Sequence, residues 1–521
     1  MASEPITAMA SAPAAETARW GPNIARAGRV AAAAVILGAV GQLLFFAVGL
    51  GINFPLAIGL LLLGGWLVRR RTPRLREFDA WLAPAALAFA ALAAIRADPT
   101  IVALDLLTSL ALAGAALTAF GGLRVVERPF AEVLGVGLRA LGWASGGAVP
   151  VITGARGALP PIASLGHRGG PALPVLRGLA IAIPLVVIFI ALFSAADAVF
   201  ARVVDDVFGF EIDLGDVPGR IVTMAVIAWV AAGGLALAAA DHHEPEAASP
   251  AAPGWRIGTT EVVTVLIAVA AVFVVFVVFQ ATYLFGGLDT LASTGLTYAE
   301  YARRGFFELV VVAVLAGGLI IGAERLSAAR TRLVVGVAIG LALLTGVVIA
   351  SAALRLRLYQ EAYGWTELRL YVLATICLLA IAAIALLVQL AADRVRWFGH
   401  VLTAGALAIG LALNLIGPVR FITEQNVARV LDPRLVPPNG RSGLDDAYAL
   451  SLGDDAIPAL VRVLPHLDGP EAEAPYLAEM LSVRLGALLS DPGLNAWQAW
   501  NAGRNAARDA LEAADARGEL P

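Results

Sequence analysis

The chain has 521 residues, of which 59% are hydrophobic and only 15% charged, with a formal net charge of −3. Its apolar segments repeatedly reach the roughly 20 residues that cross a bilayer, which places it in the membrane class and predicts an all-α fold. All 37 basic residues are arginine and the one cysteine is Cys377, which excludes Walker A, kinase and Schiff-base lysines as well as intrachain disulfides and thiolate clusters.

Residues 1–28 are rich in Ala, Ser and Pro and lack a compact apolar core ending in a small-residue cleavage site, so they read as a disordered tail. A transmembrane domain is expected over 29–417. Its first span covers about 30–50. Asn53, Phe54 and Pro55 read as an N-cap and helix start for a second span to about 68. Arg69, Arg70, Arg71, Arg74 and Arg76 follow, the densest basic run in the chain. Spans three and four cover about 81–95 and 101–120, with Asp105 inside the fourth and Asp98 just outside it. A Gly/Pro-rich loop near 145–175 follows, then a fifth span at about 179–193 and an acidic interfacial piece over 199–216. The sixth span is placed at about 221–240, and an Ala/Pro linker near 241–258 divides the membrane region in two. Spans seven to eleven are placed at about 262–284, 306–321, 333–353, 370–390 and 401–416, a total of about 11 with a range of 10–12.

Residues 418–521 are different in kind. Gly417–Pro521 carries 15 acids and 9 arginines, and three amphipathic helices are predicted at 457–467, 475–489 and 496–514. Asp454 and Asp455 are expected to cap the first, with Trp497 and Trp500 on apolar faces. This is a small helical module on the membrane domain. The N-terminal tail and the loops after even-numbered spans hold about 20 arginines against about 8 in the other loops. The positive-inside rule therefore predicts a cell-membrane protein with a cytoplasmic N-terminus and an extracytoplasmic C-terminal module.

Candidate chemistry gathers in two connections. In the first, Thr297 and Glu300 match a capping box, and Glu300, Arg304 and Glu308 fall one turn apart, with Tyr298, Tyr301 and Gly305 on a neighbouring stripe and Arg303 beside them. Glu308 borders a long apolar run. A carboxylate there is costly unless paired, so it either works in a polar path or is neutralised by Arg304 as an interfacial anchor. In the second connection Arg355, Tyr359 and Tyr363 repeat at i, i+4, i+8, Gly364 permits a break, and Arg369 follows. Forked arginine donors beside tyrosines suit an anionic small molecule or a lipid head group; the same residues also make an ordinary aromatic and snorkelling belt. Asp105 is the candidate intramembrane acid. His242 and His243 read as a loop pair, and the G-x-G-x-x-A match at Gly135–Ala140 lacks a preceding strand and a downstream acid. No metal and no cofactor is expected, and nucleic-acid binding finds no support, so the bilayer is the expected partner.

The stretches LTYAEYARRGFFEL (Leu296–Leu309), EAYGWTELRLY (Glu361–Tyr371), INFPL (Ile52–Leu56) and Phe421–Pro458 resemble a bacterial family of integral membrane proteins catalogued as domain of unknown function 4173, related to the 4153 group. The resemblance implies a membrane location and carries no activity, cofactor or catalytic residue. Three functions remain open: a transporter or channel-like protein with Glu308 and Asp105 on a polar path; a protein or enzyme that binds envelope lipids or lipid-linked substrates; and a non-catalytic scaffold or sensor. An enzyme is the less favoured of these classes, because no nucleophile–base pair is visible.

Overall fold

The computed structural model describes residues 24–69, 79–128, 130–149, 151–152, 216–240, 256–285, 306–392, 397–437, 440, 444–467 and 473–521. Among the described residues the only extended pairing is an isolated bridge between Ile257 and Ser327, and everything regular is helical. The first half contains α1 (Ile24–Phe45), α2 (Asn53–Val68), α3 (Leu82–Leu92), α4 (Pro99–Phe120), α5 (Phe130–Gly146) and α6 (Val217–Ala239). The second half contains α7 (Thr259–Phe285), α8 (Phe306–Leu326), α9 (Arg332–Tyr363), α10 (Glu367–Ala392) and α11 (Phe398–Ile416). The module continues with α12 (Pro418–Leu431), α13 (Asp446–Ser451), α14 (Ile457–Val463), α15 (Glu473–Ser490), α16 (Pro492–Asn495) and α17 (Ala502–Ala516).

Eight of these helices are long and apolar enough to cross a bilayer, and α2 and α3 are shorter apolar helices. Their side chains point outward as well as inward: Leu107, Leu315 and Val272 are each about two-thirds exposed. An apolar exterior of this kind is stable against lipid and not against water. The protein is therefore a multi-pass, all-helical membrane protein. The expected fifth span at about 179–193, the Gly/Pro-rich loop, the linker and the acidic 199–216 piece lie largely or wholly outside the described residues.

Two apolar cores follow the two halves. Phe54, Phe89, Leu117 and Phe120 join α2, α3 and α4, and α1 and α6 pack closely along one another at their side. Leu266, Ile320, Leu341 and Leu390 join α7 to α10. Helix α11 lies against α10 and also against α4, which connects the halves. Helix α5, which no expected span covers, lies between α4 and the Gly/Pro-rich loop; it packs on α6, where the Trp229 indole donates to Ser145 O at 2.7 Å.

The C-terminal helices, here called the module, pack around Ile422, Leu460, Leu477, Leu481 and Leu511, in one cluster with Ile101, Leu370 and Leu413 from the membrane helices. Three membrane turns meet it on one face. The α1–α2 turn bonds through Ile52 N to Trp500 O and Gly49 N to Gly493 O, both at 3.0 Å. The α3–α4 turn is held by the Asn501 side chain, which donates to Arg96 O at 2.8 Å, and by Ala502 N and Gly503 N donating to Ala94 O and Ile95 O. The α9–α10 turn is held by Asn426 of α12.

Several local expectations need correction. Asn53 does not cap α2, which begins at Asn53 itself; its amide instead accepts from Gly51 N at 2.8 Å and donates to Leu44 O and Gly49 O, locking the turn. Asp454 and Asp455 sit in a 3₁₀ turn and give α14 no side-chain cap; they bond Arg484 and Ala97 N instead. The last helix starts at Ala502, capped by the Asn501 side chain, so Trp497 and Trp500 precede it and are 64% and 48% exposed. They flank the end of α1, where the Gln498 amide reaches Leu43 O. Interfacial aromatics occupy this position in membrane proteins.

Candidate functional site

Helix α9 runs 32 residues and carries Arg355, Tyr359 and Tyr363 on successive turns. Gly364 ends it with φ +77°, a conformation that a side chain resists, and a Cβ there would stand 2.6 Å from the Asn426 Oδ1. The Asn426 amide then grips the turn from both sides, accepting from Trp365 N and donating to Trp365 O, each at 2.8 Å. Thr366 accepts from Arg369 N at 3.4 Å, and the Tyr448 hydroxyl accepts from Glu367 N at 2.8 Å, which starts α10.

Two guanidinium groups close the exposed carbonyl end of α9. Arg369 donates to Tyr363 O at 3.1 Å and Gly364 O at 2.5 Å, with its charge 4.2 Å from the centre of the Tyr359 ring. Arg429 donates to Glu361 O at 2.8 Å and Ala362 O at 3.2 Å. Positive charge at a helix C-terminus is stabilising. The pair nevertheless repel: burial, and then the neighbouring Arg369, push the Arg429 guanidinium below its usual range.

Beside these arginines lies a cavity of about 820 Å³. Tyr359, Tyr363 and Arg369 line it from the membrane side, and Asn426, Arg429 and Tyr448 from the module side. Pockets of several hundred Å³ hold drug-sized ligands. Polar groups converge here, two of them cationic and one, Asp445, anionic, on a wall that also carries aromatic rings. Burial raises the Tyr448 hydroxyl above its usual range, so it remains a neutral donor.

The candidate residues distribute unevenly. Tyr359, Tyr363 and Arg369 come together at this cavity. Arg355 is half-buried higher on α9 and does not line it. Glu308 is exposed in the first turn of α8. Tyr298, Glu300, Tyr301, Arg303 and Arg304 lie outside the described residues. Asn426, Arg429 and Tyr448 are the members that sequence reasoning missed. All three are polar positions in the Phe421–Pro458 stretch, which is the only signal the sequence carried for them.

Asp105 belongs to a second polar group. It is buried within α4 and accepts from the Asn414 amide of α11 at 2.7 Å. Asp98 caps α4, accepting from Thr100 N and Ile101 N at 2.8 and 3.2 Å. Arg96 of the same turn donates to the carbonyls of Asn414 and Leu415. Burial, with Glu367 and Asp455 adding like charge, pushes Asp98 up to about 6. Since the folded state holds its proton more tightly than the unfolded chain, this group stabilises at acid pH, and that contribution is lost as pH rises through about 6. Burial raises Asp455 in the same direction. Among the described residues, no three His, Cys, Asp or Glu side chains are arranged to hold a metal ion.

A family model described as Domain of unknown function (DUF4153) matches residues 82–463. This is the 4153 group, a related but different family from the 4173 group that the motifs resemble. No curated protein and no solved structure matches the chain.

Proposed function

The chain belongs to the family described as Domain of unknown function (DUF4153), and from that premise and the site's geometry we propose that it binds an anionic head group. The ligand class is a phosphate or carboxylate carried on a lipid or a free solute, held where the α9–α10 turn meets the C-terminal module. The observation that carries this reading is the pair Arg369 and Arg429, converging with three tyrosines on one cavity of about 820 Å³. Arg369 makes both of its bonds to the carbonyls at the end of α9 through Nη1, so the other edge of its guanidinium fork can engage an anion, and Arg429 adds a second positive charge beside it.

Native mass spectrometry of the full-length protein in nanodiscs containing phosphatidylglycerol or phosphatidylcholine tests it, with inorganic phosphate as competitor. Retention of phosphatidylglycerol over phosphatidylcholine is expected, and Arg369→Ala should weaken it about tenfold, as loss of one charge-assisted bond of about 1.4 kcal/mol implies. Arg369→Lys keeps the charge and should recover part of the effect. Equal retention of both lipids, unchanged by Arg369→Ala, would overturn the reading. Competition by phosphate assigns the site to the phosphate group rather than the acyl chains.

Transport through a polar path has less support. Glu308 is exposed, and the small cavity of about 40 Å³ among α8, α9 and α10 is walled by apolar groups such as Ala313, Gly317 and Leu386.

The same reading places the module outside the cell membrane with the N-terminus in the cytoplasm. Its support is the arginine asymmetry between alternate loops. In intact cells an Asp509→Cys variant should react with a membrane-impermeant maleimide. Labelling only after lysis would reverse the orientation.

A further inference from the structure

Where α4, α10 and α11 meet the module, an excess of buried acid is gathered around neutral polar groups. Asp98 is fully buried, and Asp105 and Asn414 are each about 1% exposed. Asp98 spends Oδ1 on the cap of α4, and Asp105 spends Oδ1 on the Asn414 amide. Their other carboxylate oxygens are buried and meet no hydrogen-bond partner. The same is true of Asn414 Oδ1, the Tyr371 hydroxyl and one Glu367 oxygen. These atoms belong to one electrostatic neighbourhood: Glu367 and Asp455 act on Asp98, and Asp98 and Arg96 act on Asp105.

The charges do not balance. From the α3–α4 turn and α4 come Asp98, Asp105 and Arg96; from α10, Glu367 and Tyr371; from α11 only the neutral Asn414. The module adds Asp455, which bonds Ala97 N at 2.9 Å, while Asp454 is taken by Arg484 and approached by Arg504. Arg96, whose charge acts on Asp105 and Asp455, is the one arginine among these groups. Leaving several carboxylates ionised together in such a place costs several kcal/mol each, and protonation is the usual relief.

We propose that Asp98, Asp105 and Glu367, around Tyr371 and Asn414, form a proton-binding site that holds at least one proton in the folded protein at neutral pH. A protonated carboxyl converts an oxygen that can only accept into a donor. The neighbouring oxygens, Asn414 Oδ1 and the second carboxylate, are acceptors that need one. A proton fits better than a divalent cation, because Arg96 lies beside the group and its carboxylates do not converge on a single coordination point. Burial also raises Asp98 above the usual carboxylate range, the direction that sharing a proton within the group requires. The site adjoins the two-arginine cavity through Glu367, whose N–H bonds the Tyr448 hydroxyl, but none of its five residues lines that cavity, and the proposal does not depend on head-group binding.

Infrared difference spectra of the full-length protein in nanodiscs, titrated from neutral to alkaline pH, provide the test. The expected result is a protonated-carboxyl band at neutral pH that shifts in heavy water, disappears on alkalinisation, and is lost or reduced in Asp105→Asn or Asp98→Asn. Both variants preserve local bonding, since asparagine also caps helices and can pair with Asn414. Size-exclusion profiles matching the unaltered protein show that they fold. Absence of the band at neutral pH, or a band untouched by both substitutions, would overturn the proposal. Loss of the band on adding sodium at constant pH would also overturn it, by assigning the site to a metal cation.

Discussion

An Asp454→Ala variant should lose about 3 kcal/mol of stability, read as a lower midpoint of thermal unfolding and faster proteolysis of the C-terminal module. Asp454 is buried and takes Arg484 in a two-pronged bond, Nε to Oδ1 and Nη2 to Oδ2, both at 2.8 Å. Arg504 Nε stands 3.9 Å from the same carboxylate. Arg504 also donates to Ala499 O at 2.9 Å and Leu50 O at 3.4 Å, so it bridges the module and the α1–α2 turn. Removing the acid leaves that largely buried guanidinium without its counter-charge, and breaking a buried pair on one side costs about 3–5 kcal/mol. The lower figure applies because Arg484 is 38% exposed and can turn to water. Asp454→Asn keeps the shape and should fall between the two. An unchanged unfolding midpoint in Asp454→Ala would show that the three charges do not hold the module.

Gly51→Ala should release the α1–α2 turn from the module. A Cβ at this position would lie 2.4 Å from Ala499 C and Trp500 O, and both are backbone atoms that cannot rotate away. Overpacking typically costs about 1–3 kcal/mol. Relief by separation would also break Ile52 N to Trp500 O and Gly49 N to Gly493 O, each contributing about 1 kcal/mol. Hydrogen exchange over residues 47–53 is the direct readout and should accelerate at least tenfold, since about 1.4 kcal/mol of lost protection is a factor of ten. Gly59→Ala is the control, because its Cβ would meet only the Leu87 side chain at 3.6 Å. Equal exchange in the two variants would mean that the close approach at Gly51 does not restrain the turn.

The parts that were legible in the sequence are those whose signal is local. Apolar runs of bilayer length marked the eight helices long enough to cross a bilayer, though not the shorter α2 and α3, and the i, i+4, i+8 spacing of Arg355, Tyr359 and Tyr363 with Gly364 after it marked the end of α9. Proline 99 after Asp98 is a comparable signal, since that pair caps and opens α4. What the sequence concealed is assembled from distance. The bond between Asn414 and Asp105 joins residues 309 positions apart, and that between Asn426 and Trp365 spans 61. Asn414 could still have been suspected, as a polar side chain in an otherwise apolar run over α11. The roles of Asp454 and Asp455 were misread because acids before a proline-bearing helix suggest caps. Tertiary partners, Arg484 and Ala97 N, claimed them instead. Trp497 and Trp500 were misread for a related reason: in a membrane protein an apolar surface can face lipid and needs no core.

The module's grip on three membrane turns has a consequence for biosynthesis. Every one of those turns emerges from the ribosome before the residues that fasten it. At about 5–20 residues per second, Gly49 waits about 20–90 seconds for Gly493. Until then the Ala94, Ile95 and Arg96 carbonyls and the Ala97 N–H of the α3–α4 turn, and the open end of α9, stand without their module partners. Completion of the last hundred residues supplies the partners of all three turns. A ribosome that stops short leaves a chain whose spans are inserted and whose turns are unfastened, a state that a quality-control protease can recognise.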